Sequence, residues 1–162
     1  MAGFGLSYTS WTYTVTQQPS ALQLLPLQTL LAETAAQGHQ FPQIAKQRAA
    51  ESASAWRSTA GFRINVTNTG DRDADDVVLG FLEPPGAGVD GTPLQQLFDF
   101  QRVHVRAHES VTVELTPAIT DFALAQLNGT LRAAAGEYKA HFGVKEAKTL
   151  GMGFVEVDFR AI

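Results

Sequence analysis

The sequence predicts an all-β fold, an antiparallel β-sandwich whose main part begins at Gly61. Apolar and polar residues alternate over residues 62–67 and again over residues 111–116, which is the pattern of strands with one buried face. Turn signals separate these short strands at intervals of roughly 8–20 residues, as in sandwiches. The chain shows neither a βαβ alternation nor a Gly-rich phosphate loop, so a nucleotide-binding α/β fold is disfavoured.

The first predicted strand covers residues 7–16. Aromatic and β-branched residues alternate there with small polar ones, and Trp11, Tyr13 and Val15 fall on one face. We expect this face to point inward. Residues 1–16 are therefore assigned to a linker and a first strand.

Residues 17–60 have a different composition, rich in Ala, Gln, Leu and Ser. A Leu-rich stretch is interrupted by Pro26, and residues 44–56 contain good helix formers. We expect an insertion, partly helical and partly loop, with a mobile linker as the alternative. Residues 61–162 then form the sandwich.

Several strands are expected within that last zone. The segment 68–76 (NTGDRDADD) predicts a turn, residues 77–82 (VVLGFL) an apolar strand, and residues 83–93 a Gly/Pro loop. Further strands are expected near residues 138–142 and 154–159. Tyr138 stands where immunoglobulin-like sandwiches place a tyrosine whose hydroxyl bonds to upstream backbone. Spacing alone fits an ordinary half-buried tyrosine equally well.

Composition excludes several functional classes. The chain has no cysteine, which rules out disulfides, thiolate zinc sites and cysteine nucleophiles. The net charge of −4, without clustered Lys or Arg, disfavours nucleic acid and anionic membranes as partners. No apolar run reaches the roughly 18 residues of a membrane span, and the N-terminus lacks the pattern of a signal peptide. The compartment stays open.

One histidine pair and one acidic segment are spaced in ways that suggest metal sites. His104 and His108 are four residues apart, but on an extended strand that spacing separates them by about 13 Å, so they cannot share an ion. The acidic segment 71–76 has carboxylates at the first, third and fifth positions of a calcium loop, but it lacks the glycine and the final glutamate. We expect a turn, with neither a metal nor a cofactor.

The sequence contains no marked catalytic residues. No serine lies in a G-x-S-x-G elbow, and no carboxylate pair is singled out. Two N-x-[ST] sequons, at Asn65 and Asn128, matter only if the protein is secreted. We expect that the chain is not an enzyme by itself.

Taken in order, several segments resemble one known domain. Residues 62–85 (FRINVTNTGDRDADDVVLGFLEPP) resemble the fibronectin type III-like domain that ends many glycoside hydrolase family 3 enzymes. The matching elements continue with PLQQL at 93–97, FQRV at 100–103, HES at 108–110 and AGEYKAHFG at 135–143. The segment 4–13 (FGLSYTSWTY) is similar to the family's link from the preceding α/β domain.

The chain also departs from the family pattern. Asp99 and the pair Ala107–His108 stand where the family usually has Gly and Pro–Gly. Residues 17–60 have no counterpart, which leaves the partner of the first strand open.

The resemblance implies a function without catalysis in this chain. The family's catalytic carboxylates lie in upstream domains, so no catalytic residue is transferred. The implied role is an accessory domain of a β-glucosidase or β-xylosidase, in a secreted, vacuolar or lysosomal parent. It would dock on the catalytic domains, or self-associate, through an apolar patch.

Three aromatic residues are candidate contacts. Tyr8 and Trp11 could belong to the docking patch, with core packing as the other interpretation. The alternative function is a carbohydrate- or surface-binding module. Sugar binding needs exposed aromatics, and Trp56 is the better of the two tryptophans for it.

Overall fold

The computed structural model describes residues 7–37, 53–144 and 152–162, and these form two sheets packed face to face with helices at one end. The elements run in the order β1 (Trp11–Gln17), β2 (Ala21–Leu22), α1 (Leu25–Gln37), α2 (Ala53–Ala60), β3 (Phe62–Asn68), β4 (Ala74–Glu83), β5 (Gln96–Val105), β6 (Ser110–Leu115), a 3-10 turn (Ile119–Phe122), β7 (Ala123–Ala125), β8 (Leu131–Ala133), β9 (Gly136–Gly143) and β10 (Phe154–Ala161).

One sheet has the strand order β1-β3-β6 and the other β2-β10-β9-β4-β5, while β7 and β8 form a separate hairpin. β1 pairs antiparallel with β3, with Trp11 opposite Asn68, so the first strand finds its partner across the whole insertion. The main pairs are antiparallel, and the short β2 adds to β10 in parallel. The predicted β-sandwich is confirmed.

The inner faces carry the residues that the alternation predicted. Phe62, Ile64 and Val66 are fully buried on β3, and Trp11 and Tyr13 on β1 are 5% and 6% exposed. The Phe62 ring lies 5.3 Å from that of Phe142 across the core. Because successive side chains on a strand point to opposite faces, each alternating run turns one set into the core.

Residues 21–37 pack on this core through buried leucines, so the linker alternative is wrong for them. Leu24 and Leu27 are fully buried, and the Leu24 backbone N–H donates to the Ile162 carbonyl at 2.6 Å. Pro26, which interrupts the Leu-rich stretch in the sequence, does not interrupt the helix. It is the second residue of α1, where a missing N–H costs nothing because the first four helical N–H groups lack intrahelical partners.

The zone boundaries drawn from composition shift in two places. Residue 17 is still part of β1, and β2 joins the five-stranded sheet. The helix expected at 44–56 overlaps α2 at residues 53–56, while residues 44–52 lie outside the described part of the chain. The expectation of partial helicity is confirmed by α1 and α2.

Tyr138 makes the tyrosine corner of immunoglobulin-like sandwiches. Its Oη donates to the Ala134 carbonyl oxygen at 2.9 Å, and Phe122 packs its ring at 5.2 Å. Burial raises the pKa of this phenol to about 12, so the hydroxyl stays protonated and keeps donating. The hydrogen bond fixes the chain just before β9 enters the five-stranded sheet.

Candidate docking surface

The outer face of the five-stranded sheet carries an apolar stretch centred on β4. Val78, Gly80 and Leu82 of β4 point into the core, so Leu79 and Phe81 point outward. Leu79 lies opposite Phe100 of β5, and Phe81 lies between Leu97 and His141. Antiparallel sheets that face water normally place polar residues at such positions.

Ring contacts continue this surface across the sheet. Phe81 stacks on His141 at 5.1 Å, and His141 lies 5.9 Å from Phe154 of β10. At the edge strand β5, the Phe100 side chain is 64% exposed. We call these residues the outer aromatic row: Leu79, Phe81, Phe100, His141 and Phe154.

A bulge in β5 sets the outward direction of Phe100. The β4–β5 register shifts beside Gly80 and Phe81, which leaves Phe98 as the extra residue. Phe98 turns into the core, where a Cβ on Gly80 would lie 2.7 Å from its ring. Gly80 therefore makes room for Phe98. Asp99 holds the strand after the bulge, because its carboxylate accepts hydrogen bonds from the backbone N–H groups of Phe100 and Thr116.

A groove of about 730 Å³ adjoins the row at one end of the sandwich. Val77, Leu79 and Met152 supply apolar walls, and Tyr8, with 90% of its side chain exposed, lines the same groove. The predicted contact residue Tyr8 is thus placed beside the outer aromatic row.

Opposite charges compensate each other at the rim of this groove. Asp75 accepts hydrogen bonds from His104 at 2.6 Å and from Arg102 at 2.6 and 3.0 Å. These bonds, that from His104 first, lower the pKa of the Asp75 carboxyl below its usual value. His104 lies directly opposite Asp75 in the β4–β5 pairing. Together, Asp75, Arg102 and His104 present little net charge beside the outer aromatic row.

Tyr13 and Asp76 form the floor of the groove. The Tyr13 Oη donates to Asp76 Oδ2 at 2.6 Å, and Asp76 Oδ1 accepts from the Val77 backbone N–H. Burial, and then the charge of Asp76, raise the pKa of Tyr13 well above its ordinary value. The phenol is therefore no nucleophile at neutral pH. A Cβ at Gly153 would overlap the Tyr13 ring, so that glycine allows its close approach.

The turn predicted at residues 68–76 is shorter in the structure, because residues 69–73 join β3 to β4 whereas Ala74, Asp75 and Asp76 already belong to β4. Asn68, the last residue of β3, organises the turn. The buried Asn68 side chain accepts from Thr9 Oγ1 at 2.6 Å and from the Gly70 N–H at 3.1 Å. It also donates to the carbonyls of Arg72 and Val105 at 2.7 and 3.1 Å. Within residues 7–37, 53–144 and 152–162, no group of three or more His, Asp or Glu side chains could hold a metal ion.

The two histidines occupy separate, exposed places. His104 pairs with Asp75. His108 lies in the turn after β5, and its Nε2 is 3.0 Å from Asp71 Oδ1. His108 has a φ of 62°, the left-handed region where the resembled family has Gly. The substitution is tolerated because His is among the residues that enter this region more often than most.

The comparisons with known proteins agree with the resemblance. The family profile described as a fibronectin type III-like domain matches residues 76–145. These residues form a fibronectin type III-like domain.

Curated relatives of the chain are β-D-xylosidases. Beta-D-xylosidase 1 of Arabidopsis thaliana is 29% identical over 143 residues, 87% of this chain and 18% of the relative. Probable beta-D-xylosidase 6 of the same plant is 32% identical over 110 residues, 66% of this chain and 14% of the relative. The chain therefore spans less than a fifth of the length of these relatives.

Solved structures share the fold of the fibronectin type III-like domain. A family 3 exo-β-xylosidase in complex with a xylobiose aziridine probe superposes with a TM-score of 0.66 at 20% identity, covering 99% of this chain and 18% of that one. A β-glucosidase of Listeria innocua gives a TM-score of 0.65 at 14% identity, covering 98% and 17%. The match extends over β1 to β3, which precede the residues matched by the profile.

The tryptophans fit packing better than contact. Trp11 is 5% exposed, which favours its core-packing interpretation. Trp56 is half-buried at the end of the sandwich that carries the helices. Its Nε1 donates to the Pro117 carbonyl at 2.7 Å and its ring meets Phe122 at 5.9 Å. Through these contacts Trp56 helps to pack α2 against the sandwich, and it does not lie on an open sugar-binding face.

The sequence interpretation missed the residues of the outer aromatic row. A signal was available in residues 77–82, where the apolar run does not alternate. An uninterrupted run on a strand predicts apolar side chains on both faces, hence burial of both faces.

No helix within the described ranges is both long and apolar enough to cross a membrane.

Proposed function

We propose that this chain is a non-catalytic accessory domain of a family 3 glycoside hydrolase of the β-glucosidase or β-xylosidase type. It stabilises the catalytic domains by docking on them through the outer aromatic row and the adjoining groove. The observation that carries the proposal is that Phe100, 64% exposed, lies in the outer aromatic row and that Tyr8, 90% exposed, lines the adjoining groove.

The position of the N-terminal segment supports this choice of surface. Residues 7–10 lead into β1 at the groove, where Ser7 and Tyr8 line the wall. In the family that the chain resembles, this segment comes from the preceding α/β domain. A catalytic domain joined there would lie next to the outer aromatic row, so docking would bury an apolar surface that is otherwise open to water.

The chemistry of the groove favours binding over catalysis. Its phenol is protonated and hydrogen-bonded to Asp76, and the carboxylate of Asp75 is occupied by Arg102 and His104. Neither group is held ready to attack or to transfer a proton to a substrate. We expect no hydrolysis of nitrophenyl β-glucoside or β-xyloside by the purified chain. Turnover would contradict the accessory role.

The docking test uses a longer protein that carries this domain behind family 3 catalytic domains. Phe100→Glu is expected to lower the melting temperature and activity half-life of the longer protein, because a charge would be buried in the interface. The same change should leave the melting temperature of the isolated 162-residue chain unaltered.

Leu127→Glu is the matched control. Leu127 is 84% exposed at the opposite end, on the β7–β8 hairpin. Leu127→Glu should change neither the melting temperature of the longer protein nor that of the isolated chain. Equal effects of the two substitutions on the longer protein would refute docking through the outer aromatic row.

Carbohydrate binding is the alternative, and the exposed rings of Tyr8 and Phe100 are the observation that favours it. Aromatic rings beside a groove can stack on the apolar face of a sugar. Titration calorimetry with soluble β-glucans and xylans distinguishes the two functions. Heat of binding that disappears in Tyr8→Ala would support the alternative, and no heat with any glycan removes it.

A further inference from the structure

The two sequons occupy different structural settings. Asn65 lies in the middle of β3, the central strand of its sheet, between Thr14 of β1 and Thr112 of β6. The hydroxyl of its sequon residue Thr67 bonds to Ser110 Oγ at 2.8 Å. Thr67 is therefore engaged across the sheet and not with Asn65.

Asn128 lies at the exposed tip of the β7–β8 hairpin. Its sequon partner Thr130 donates its backbone N–H to Asn128 Oδ1 at 3.0 Å, and the Thr130 Oγ1 lies 2.7 Å from the same oxygen and 3.1 Å from Gln126 Oε1. Gly129 between them has a φ of 82°, which lets the chain fold back so that these atoms meet. The acceptor amide and the hydroxyl are thus already held together.

The hairpin and the groove lie at opposite ends of the sandwich. β4 starts at the turn beside Tyr8 and runs to the loop at residues 84–95, at the other end of the sandwich. Leu127 lies against that loop, since a Cβ on Gly91 would be 3.1 Å from its Cδ2. A large group on Asn128 would therefore not obstruct the groove.

The geometry points to Asn128, and not Asn65, as an N-glycan acceptor when the chain passes through a eukaryotic secretory pathway. Nδ2 of Asn128 attacks the anomeric carbon of a lipid-linked oligosaccharide diphosphate. The new bond is N–C, the bond from that carbon to the diphosphate oxygen breaks, and the lipid diphosphate leaves with the electron pair while the amide loses a proton. The Thr130 hydroxyl on Oδ1 orients the amide for this step.

A glycan there would also cover apolar surface. Leu127, Leu94 and Val89 are 84%, 72% and 58% exposed at this end. Exposed apolar side chains favour association. The glycan would hydrate this end and leave the proposed docking surface as the main apolar contact.

The test is to secrete the chain from a yeast or insect host and map each asparagine by peptide mass spectrometry after glycosidase release, which leaves aspartate at an occupied site. We expect occupancy at Asn128 and little or none at Asn65. Asn128→Gln and Thr130→Ala should both abolish the glycan, and Asn65→Gln should retain it. The two variants at the hairpin alter different atoms, so a folding defect in one does not remove the test.

An unmodified Asn128 in the secreted chain, or occupancy at Asn65 equal to that at Asn128, would overturn the inference. Neither result bears on docking, because the hairpin is outside the outer aromatic row. Thermal denaturation of each variant checks that the fold is retained.

Discussion

The two outer faces of this sandwich differ, although their inner faces are alike. The three-stranded sheet presents polar side chains outward, and Arg63 of β3 pairs with Glu114 of β6 at 3.2 Å. The five-stranded sheet presents Leu79, Phe81, Phe100 and Phe154. Both inner faces are packed with fully buried aliphatic and aromatic side chains.

This difference separates folding from function. The polar outer face is what an antiparallel sheet in contact with water requires. The apolar outer face adds nothing to the core between the sheets, so its residues need another explanation. A partner surface, here the proposed catalytic domains, supplies one.

The largest effect is expected from a core residue compared with an outer one. Phe62→Ala should lower the free energy of unfolding by about 3–5 kcal/mol, because its ring is fully buried among three other phenylalanines. Phe100→Ala should change it by less than about 0.5 kcal/mol. Urea titration of the two isolated variants measures both values. Similar losses would mean that the outer row stabilises the domain itself.

The second prediction concerns association of the isolated chain. Phe100→Glu should weaken self-association by about tenfold or more, or about 1.4 kcal/mol, because it places a charge on the apolar surface. Thr112→Glu, on the outer face of the three-stranded sheet, is the matched control and should leave association unchanged. Sedimentation equilibrium over a concentration series gives the constants. A wild-type chain that stays strictly monomeric at high concentration would count against self-association through the outer aromatic row.

Asp121 and Asp75 should affect the stability of the fold in different pH ranges. Burial, and then the charge of Asp99, raise the pKa of Asp121 from 3.8 to about 6. The folded chain then holds a proton that the unfolded chain has released, so stability falls as pH rises from about 4 to 6. Asp121→Asn should remove this fall and be more stable at pH 7 by about 1 kcal/mol.

Asp75 on the outer face should behave in the opposite sense. Its pKa is lowered below 3.8, so its pairing stabilises the fold above that pH and the stabilisation is lost as pH falls below it. Asp75→Asn should therefore lower stability above about pH 4 and remove the loss that the wild-type chain shows as the pH falls below that value. Urea midpoints measured from pH 3 to 8 report both variants. A common pH window for the two would contradict the assignment.

The smallest effect is expected in the turn that joins the two sheets. His108→Gly should raise stability by about 0.5–1 kcal/mol, because Gly accepts the left-handed conformation without steric conflict. The exposed pair of His108 with Asp71 contributes little that would be lost. Glu109→Gly in the same turn should only destabilise. A loss of stability in His108→Gly would give the ion pair a larger role.

Much of the fold was predictable because it is encoded locally. Alternation identified the inward residues of β1, β3 and β6, and the turn residues placed the segment at Asn68. Tyr138 was marked by its position, although only its bond to Ala134 distinguished a tyrosine corner from an ordinary strand tyrosine. Each of these features depends on neighbours within a few residues in the sequence.

The sequence by itself determined the class, the strands and the inward faces, since a two-residue period fixes which side chains share a face. Only the tertiary structure decided that α1 buries Leu24 and Leu27 in the core and that Trp56 packs on Phe122. It alone brought Tyr8 beside Val77 and Leu79, and placed Phe100 opposite Leu79 through a bulge. The reason is that these contacts depend on strand order and register between distant segments, which no local pattern specifies.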